Sequence, residues 1–263
     1  MSFTLLIILF LSGIIVGFIN TLSAGGTTLS IALFLALGLP IESVNSTNRI
    51  GVLIQSFSAS LMMRKKHLIN YNKILLLTLP TIFGAIFGAI LASYITSSLF
   101  SLLFAGVLLL TLVFMFINPK TLYKEDEEKT KKKYTLIHYL VFFFIGIYGG
   151  FIQVGTGYFL IAAGTLLLGY DLIQTNAIKV TIMFFYTLVA MVVFFFEGNI
   201  NWTFGLLHAA GGALGAYLAT LFAIKKGAKF IRWLIIFVII VTALNLLGII
   251  NLKEIMSNFV KVL

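Results

Sequence analysis

Of the 263 residues, 60% are hydrophobic and only 10% charged, with a mean hydropathy of +1.11. Soluble domains carry about a quarter charged residues, so a water-soluble fold is excluded and the chain belongs in a bilayer. The formal charge of +10 gathers at the ends of apolar runs, which argues for cytoplasmic loops and against nucleic acid, and the absence of Cys removes disulfides, thiolate metal sites and thiol catalysis.

Apolar stretches of roughly 20 residues recur along the chain, long enough as helices to cross a hydrocarbon core of ~30 Å. The alternation expected of a membrane β-barrel is absent. The first stretch, Ser2 to Ile19, has no basic flank before it and no small-residue cleavage pattern after it, so it reads as a retained transmembrane helix. It opens a block from Phe3 to Leu39 that is too long for one crossing and is interrupted by SAGGTT at 23–28. Helices are expected at about 44–63, 73–95 and 98–117. The charged stretch 118–134 reads as a solvated linker, since its charges could not be buried unpaired. A second block, 135–169, is interrupted by QVGTGY at 153–158, and helices follow at about 174–196, 203–223 and 230–250.

The two halves repeat each other. An offset of 131 residues carries Gly26 onto Gly157, Gly38 onto Gly169, Asn45 onto Asn176, Ile69-Asn70 onto Ile200-Asn201, and Gly84-Ala85 onto Gly215-Ala216. Equivalent loops nevertheless differ in charge. Arg64, Lys65, Lys66, His67 and Lys73 surround one loop whose counterpart, 197–202, has no cation, whereas the uncharged loop at 94–98 corresponds to a segment with Lys225, Lys226, Lys229 and Arg232. Cations mark the cytoplasmic side, so the repeats are expected to be inverted across the membrane. The expected fold is an all-α integral membrane protein of about eight transmembrane helices, counting a broken or re-entrant segment at the start of each half. Its parts are a first repeat (1–117), a cytoplasmic linker (118–134) and a second repeat (135–263).

Two constellations could carry function. Glycine costs a helix about 1 kcal/mol, so two matched Gly-rich breaks call for a reason. If they leave helix N-termini in the membrane interior, Gly25, Gly26, Thr27, Gly155, Thr156 and Gly157 would offer N–H and hydroxyl donors to an anion; the plain alternative is close helix packing. The second constellation, SVNSTNRIG at 43–51 against QTNAIKVTI at 174–182, opens two apolar helices with polar residues. Asn45, Thr47, Asn48, Thr175 and Asn176 would complete a cage, with Arg49 and Lys179 supplying attraction; the alternative for both cations is snorkelling to the interface. Gln55 and Gln153 could line the path. His208, inside an apolar helix, is read as hydrogen-bonded to a neighbouring helix, with proton coupling as the alternative. Asn70 and Asn201 are placed as helix caps beside interfacial aromatics. Catalytic motifs of the H-E-x-x-H, G-x-S-x-G and Walker types are missing, so neither an enzyme nor a cofactor is expected.

The residues AGGTT at 24–28, GTGY at 155–158, NSTNRIG at 45–51 and TNAIKV at 175–180 resemble the TauE/SafE sulfite exporter family over nearly the whole chain apart from the linker. The resemblance implies two related halves, commonly drawn as eight transmembrane helices, and movement of small organic or sulfur-containing anions such as sulfite and sulfoacetate. The expected function is a secondary transporter of such an anion in a bacterial inner membrane. The expected partners are the lipid bilayer and the small anionic substrate. A passive anion channel or a membrane scaffold subunit is the alternative.

Overall fold

The computed structural model describes residues 3–22, 25–65, 71–116, 129–130, 133–222, 240–241, 243–251 and 254. The described residues form helices and connecting turns, with no strand among them. In chain order these are α1 (Phe3–Leu22), α2 (Thr27–Ala36), α3 (Ile41–Lys65), α4 (Tyr71–Ser93), α5 (Ser97–Phe116), α6 (Leu136–Phe151), α7 (Thr156–Ala162, continued by a π-turn Ala163–Leu167), α8 (Leu172–Phe196) and α9 (Trp202–Phe222). Most of the linker at 118–134, most of the helix expected at 230–250, and the Ile69-Asn70 element lie outside the described residues.

The 131-residue offset carries Ile41–Lys65 onto Leu172–Phe196 end to end, and the start of α4 onto that of α9. The breaks agree as well. Gly38 and Gly169 both adopt left-handed backbone, φ +86° and +75°, a conformation that costs other residues about 1–2 kcal/mol. Each ends a short returning helix just before the long one begins. Asp171 then caps α8 through a reciprocal pair with Gln174.

α1 and α2 form a helical hairpin, as do α6 and α7. Gly13 of α1 lies against the His208 backbone, and Phe34 of α2 packs edge-on over the His208 ring, so α2 has turned back to the level of Gly13. In the second hairpin, Tyr148 of α6 meets Phe159 of α7 across the bend, with ring centroids 4.8 Å apart. The ten residues of α2 span only about 15 Å, half a bilayer core.

Each hairpin docks on the other half of the chain. α1 runs alongside α9, with Gly211 and Gly215 seated on the Phe10 and Ile14 carbonyls; α6 runs alongside α4, with Gly84 and Gly88 seated on those of Phe143 and Ile147. A Cβ at any of these glycines would collide with backbone oxygen, so the glycines set the distance between the helices. The offset exchanges these two pairings with each other, as it does the α3–α9 and α4–α8 contacts. At the centre α3 and α8 cross in opposite directions: Glu42 and Asn45 near the start of α3 share a cavity with Phe194 and Glu197 at the end of α8, while Ser60 near the end of α3 bonds Thr181 near the start of α8.

The perimeter is apolar. Leu79, Phe83 and Phe87, four residues apart on α4, are 55%, 59% and 61% exposed, and α1, α5 and α8 show similar stripes. Among the described residues four helices, α1, α4, α8 and α9, are long and apolar enough to cross a membrane. Such a surface is at home against lipid tails, and the chain is a multi-pass membrane protein.

Candidate functional site

The last four carbonyls of an α-helix have no partner within the helix. In α6 the chain leaves helical geometry through Gln153 and Gly155, with φ of +60° and +75°. Each of the four carbonyls then finds a donor. Ile152 N–H bonds to Tyr148 O at 2.9 Å, Arg49 Nη1 donates to Gly149 O at 3.0 Å and Nη2 to Gly150 O at 2.6 Å, and Asn45 Nδ2 donates to Phe151 O at 3.1 Å. Both side chains come from α3, about one hundred residues away in sequence.

The α1 tip is held in the same manner by α8. Lys179 Nζ donates to Asn20 O at 3.0 Å and Asn176 Nδ2 to Thr21 O at 2.7 Å. Asn45 and Asn176 thus do equivalent work on opposite hairpins, and Arg49 and Lys179, one position out of register in the repeat, do likewise. Arg49 is fully buried and Lys179 is 1% exposed. A helix C-terminus carries roughly −0.5 charge, which is what allows a cation to be retained there away from water. Arg49 gains further support from the Phe194 ring, 4.5 Å from Cζ.

The Gly-rich breaks form the hairpin tips. Gly26 packs on the Val16 carbonyl and the Asn20 side chain, and Gly25 has φ +130°. Asn20 fastens the turn from both ends: Oδ1 accepts from Thr27 N–H and Nδ2 donates to Thr27 Oγ1, each at 3.0 Å. Asn48 Oδ1 accepts from Ser30 Oγ at 2.8 Å, tying α2 to α3. In the second tip Thr156 Oγ1 donates to Gln153 O, Gly157 is buried, and Gly155 lies against Thr111 Oγ1. Gln153 Nε2 donates to Thr187 Oγ1 at 2.9 Å.

Among the expected site residues, Gly25, Gly26, Thr27, Asn48 and Lys179 gather at the first tip with Asn176, and Asn45, Arg49, Gly155, Thr156 and Gly157 at the second. Two are engaged elsewhere. Thr47 Oγ1 accepts the Asn201 N–H at 2.9 Å, at the start of α9, and Thr175 packs on Gly164 in the π-turn. Asn201 Oδ1 in turn caps α9 through Phe204 N–H. His208 Nδ1 lies 3.2 Å from Ser12 Oγ on α1.

Five buried polar atoms at or beside the tips have no hydrogen-bond partner within 3.5 Å: Arg49 Nε, Gln153 Oε1 and Tyr186 Oη at the second, where the Tyr186 hydroxyl lies beside the Thr156, Thr187 and Gln153 side chains, and Thr28 Oγ1 and Asn176 Oδ1 at the first. Each costs about 1–3 kcal/mol when left so, and such concentrations mark places built to meet something else. Tyr186 and Thr187 were not singled out from sequence, although the offset pairs them with Gln55 and Ser56, the other buried polar pair in mid-helix. A cavity of about 60 Å³ is lined by Glu42, Asn45, Phe194, Glu197 and Asn199 among others, so it lies beside Asn45, which holds the second tip.

Residues 9–246 match the family described as Sulfite exporter TauE/SafE. The chain belongs to this family. It is similar to a probable membrane transporter protein of Haemophilus influenzae, 29% identical over 88% of this chain and 90% of the relative. It is also similar to the probable membrane transporter protein ORF9 of a Sinorhizobium species, 30% identical over 94% of each chain, and to the probable membrane transporter protein YfcA of Escherichia coli, 24% identical over 92% of this chain and 90% of the relative. No solved structure matches it. As a TauE/SafE member with a lipid-facing helical perimeter, the chain is a membrane transporter.

Proposed function

We propose that the chain is a secondary transporter of a small anion, such as sulfite, sulfoacetate or a similar sulfur-containing or organic anion. It exposes a site between the two hairpin tips alternately to either side of a bacterial cytoplasmic membrane. The observation that carries this reading is the pair of tips, each clamped by a buried cation from the opposite half and each carrying polar atoms that protein leaves unpartnered. Irregular backbone inside a bilayer survives where it lines a cavity or is buried in protein, and broken helices at a repeat interface are how many transporters hold substrate.

The antiparallel course of α3 and α8, with the reversed loop charges, supports repeats of inverted topology bounded at 1–117 and 135–263. Arg64 and Lys65 at the end of α3 then face the cytoplasm, and the cavity beside Glu42 and Glu197 opens outward. Gly25, Gly26, Thr27, Gly155, Thr156 and Gly157 shape the tips, Asn45, Asn48 and Asn176 hold them, and Arg49 and Lys179 set a positive field. Arg49 Nε remains free to bond the substrate. Thr47 and Thr175 support the scaffold.

The test is a flux screen in proteoliposomes over sulfite, sulfoacetate, thiosulfate and simple carboxylates. Saturable uptake of at least one anion is expected. Transport of a cation alone, or of none of these solutes, would overturn the reading.

A further inference from the structure

Two acids that an anion site does not use stand at one end of the bundle. Glu42 is in the first turn of α3 and Glu197 directly follows α8, and both line the cavity of about 60 Å³ together with Asn45 and Asn199. Glu42 Oε1 is buried and has no hydrogen-bond partner. A helix N-terminus stabilises an acid in its first turn by offering N–H donors, and this oxygen receives none. Asn45 is 2% exposed and uses its Nδ2 on Phe151 O, which leaves its Oδ1 as an acceptor for the cavity it lines. The Ser93 hydroxyl, also on the wall, donates to Ile90 O and keeps its lone pairs. Among the described residues no Lys or Arg lines this space.

The oxygens are held on one frame. Ser46 Oγ donates to Asn199 O at 2.8 Å and Thr47 Oγ1 accepts from Asn201 N–H at 2.9 Å, so the start of α3 is tied to the turn after α8. The starts of α3 and α5 and the ends of α4 and α8 meet at the cavity, and their dipoles offset one another. Side chains therefore decide the charge. Glu42 and Glu197 supply two negative charges, and Arg49, behind the Phe194 ring that lines the cavity, supplies one positive. The remainder suits a monovalent cation. The 131-residue offset carries Glu42 onto Ile173 and brings Lys66 onto Glu197, so the second half has no copy of this pair.

Resting on the anion-transporter reading, we infer that Glu42, Asn45, Glu197 and Asn199 form a Na+ site that couples ion binding to anion transport. Carboxylate and amide oxygens are the ligands a hard cation takes, and the cavity has room for the ion and a water. Coupling runs through Asn45. An ion on its Oδ1 fixes the amide whose Nδ2 holds the Phe151 carbonyl at the second tip. One-sided placement is what an ion entering down its gradient from outside requires.

Radiolabelled Na+ should bind saturably to the detergent-purified protein, and be displaced by unlabelled Na+ but not by choline or Ca2+ at equal ionic strength. Glu42→Gln and Glu197→Gln each remove a carboxylate and should weaken binding about tenfold or more. Melting in choline chloride checks that each variant is folded, and Glu197, which is exposed, is the milder replacement. In proteoliposomes an inward Na+ gradient should speed uptake of the anion best carried in the screen, and choline in place of Na+ should remove that stimulation. No saturable Na+ binding, binding that both variants keep, displacement by Ca2+, or equal uptake in Na+ and choline would overturn the inference and leave the transporter reading standing. Absence of flux for every screened anion would instead remove that reading, and the binding measurement would still decide the ion site.

Discussion

Arg49 is the residue whose replacement tests the clamped tip most sharply. Arg49→Gln removes donors to Gly149 O and Gly150 O and the contact with Phe194, and the shorter side chain can restore one hydrogen bond at most. Leaving one buried carbonyl unpaired costs about 1–3 kcal/mol, and the lost cation–π contact and charge add about 1–2 kcal/mol. A net loss of about 3 kcal/mol corresponds to a melting temperature lower by about 6–12 °C for a protein of this size. Arg49→Lys keeps the charge but offers a point donor in place of a fork, and should fall between. The assay is thermal unfolding of the detergent-purified protein, followed by tryptophan fluorescence, beside anion flux in proteoliposomes. The expected order is wild type, then Arg49→Lys, then Arg49→Gln in both readouts. An Arg49→Gln protein that melts and transports like wild type would refute the clamp.

Gly84→Ala and Gly215→Ala each place a methyl group against a backbone carbonyl of the partner helix, and should cost about 1–3 kcal/mol by forcing the helices apart, whereas Gly106→Ala, with nothing within 4 Å, should leave the melting temperature unchanged. Thr47→Val removes the acceptor of the Asn201 N–H and should lower stability by about 1–3 kcal/mol without changing substrate KM; a changed KM would place Thr47 at the substrate after all. Because the chain has no Cys, single cysteines report membrane sidedness without background. Ser93→Cys should react with an impermeant maleimide from outside and Lys65→Cys only after the membrane is opened; labelling from the same side would refute the assigned orientation.

Much of the architecture is legible in the residues. The expected helix limits fall within about three residues of α3, α4, α5, α8 and α9, because polar or Gly-rich breaks punctuate long apolar runs. The matched Gly38 and Gly169 sit at positions where the backbone is left-handed. The trans-capping of helix ends is not legible. A hydrogen bond from Arg49 to a carbonyl one hundred residues away leaves no local pattern, and the cation reads equally well as a substrate ligand, a snorkelling side chain or a cap. The hairpin at the start of the chain is equally hidden, since it is held by Asn20 folding back on Thr27. Tyr186 and Thr187 escaped notice because an aromatic and a threonine look ordinary in an apolar helix. Only their register with Gln55 and Ser56 marks them.

The central claim is that the space between the two tips opens to one side at a time, and substrate counterflow measures this directly. Proteoliposomes loaded with unlabelled sulfite and diluted into a trace of labelled sulfite should transiently accumulate label above its equilibrium level, because outward-moving carriers return loaded. Label that only relaxes toward equilibrium, with flux that does not saturate, would show a passive pore and contradict the account.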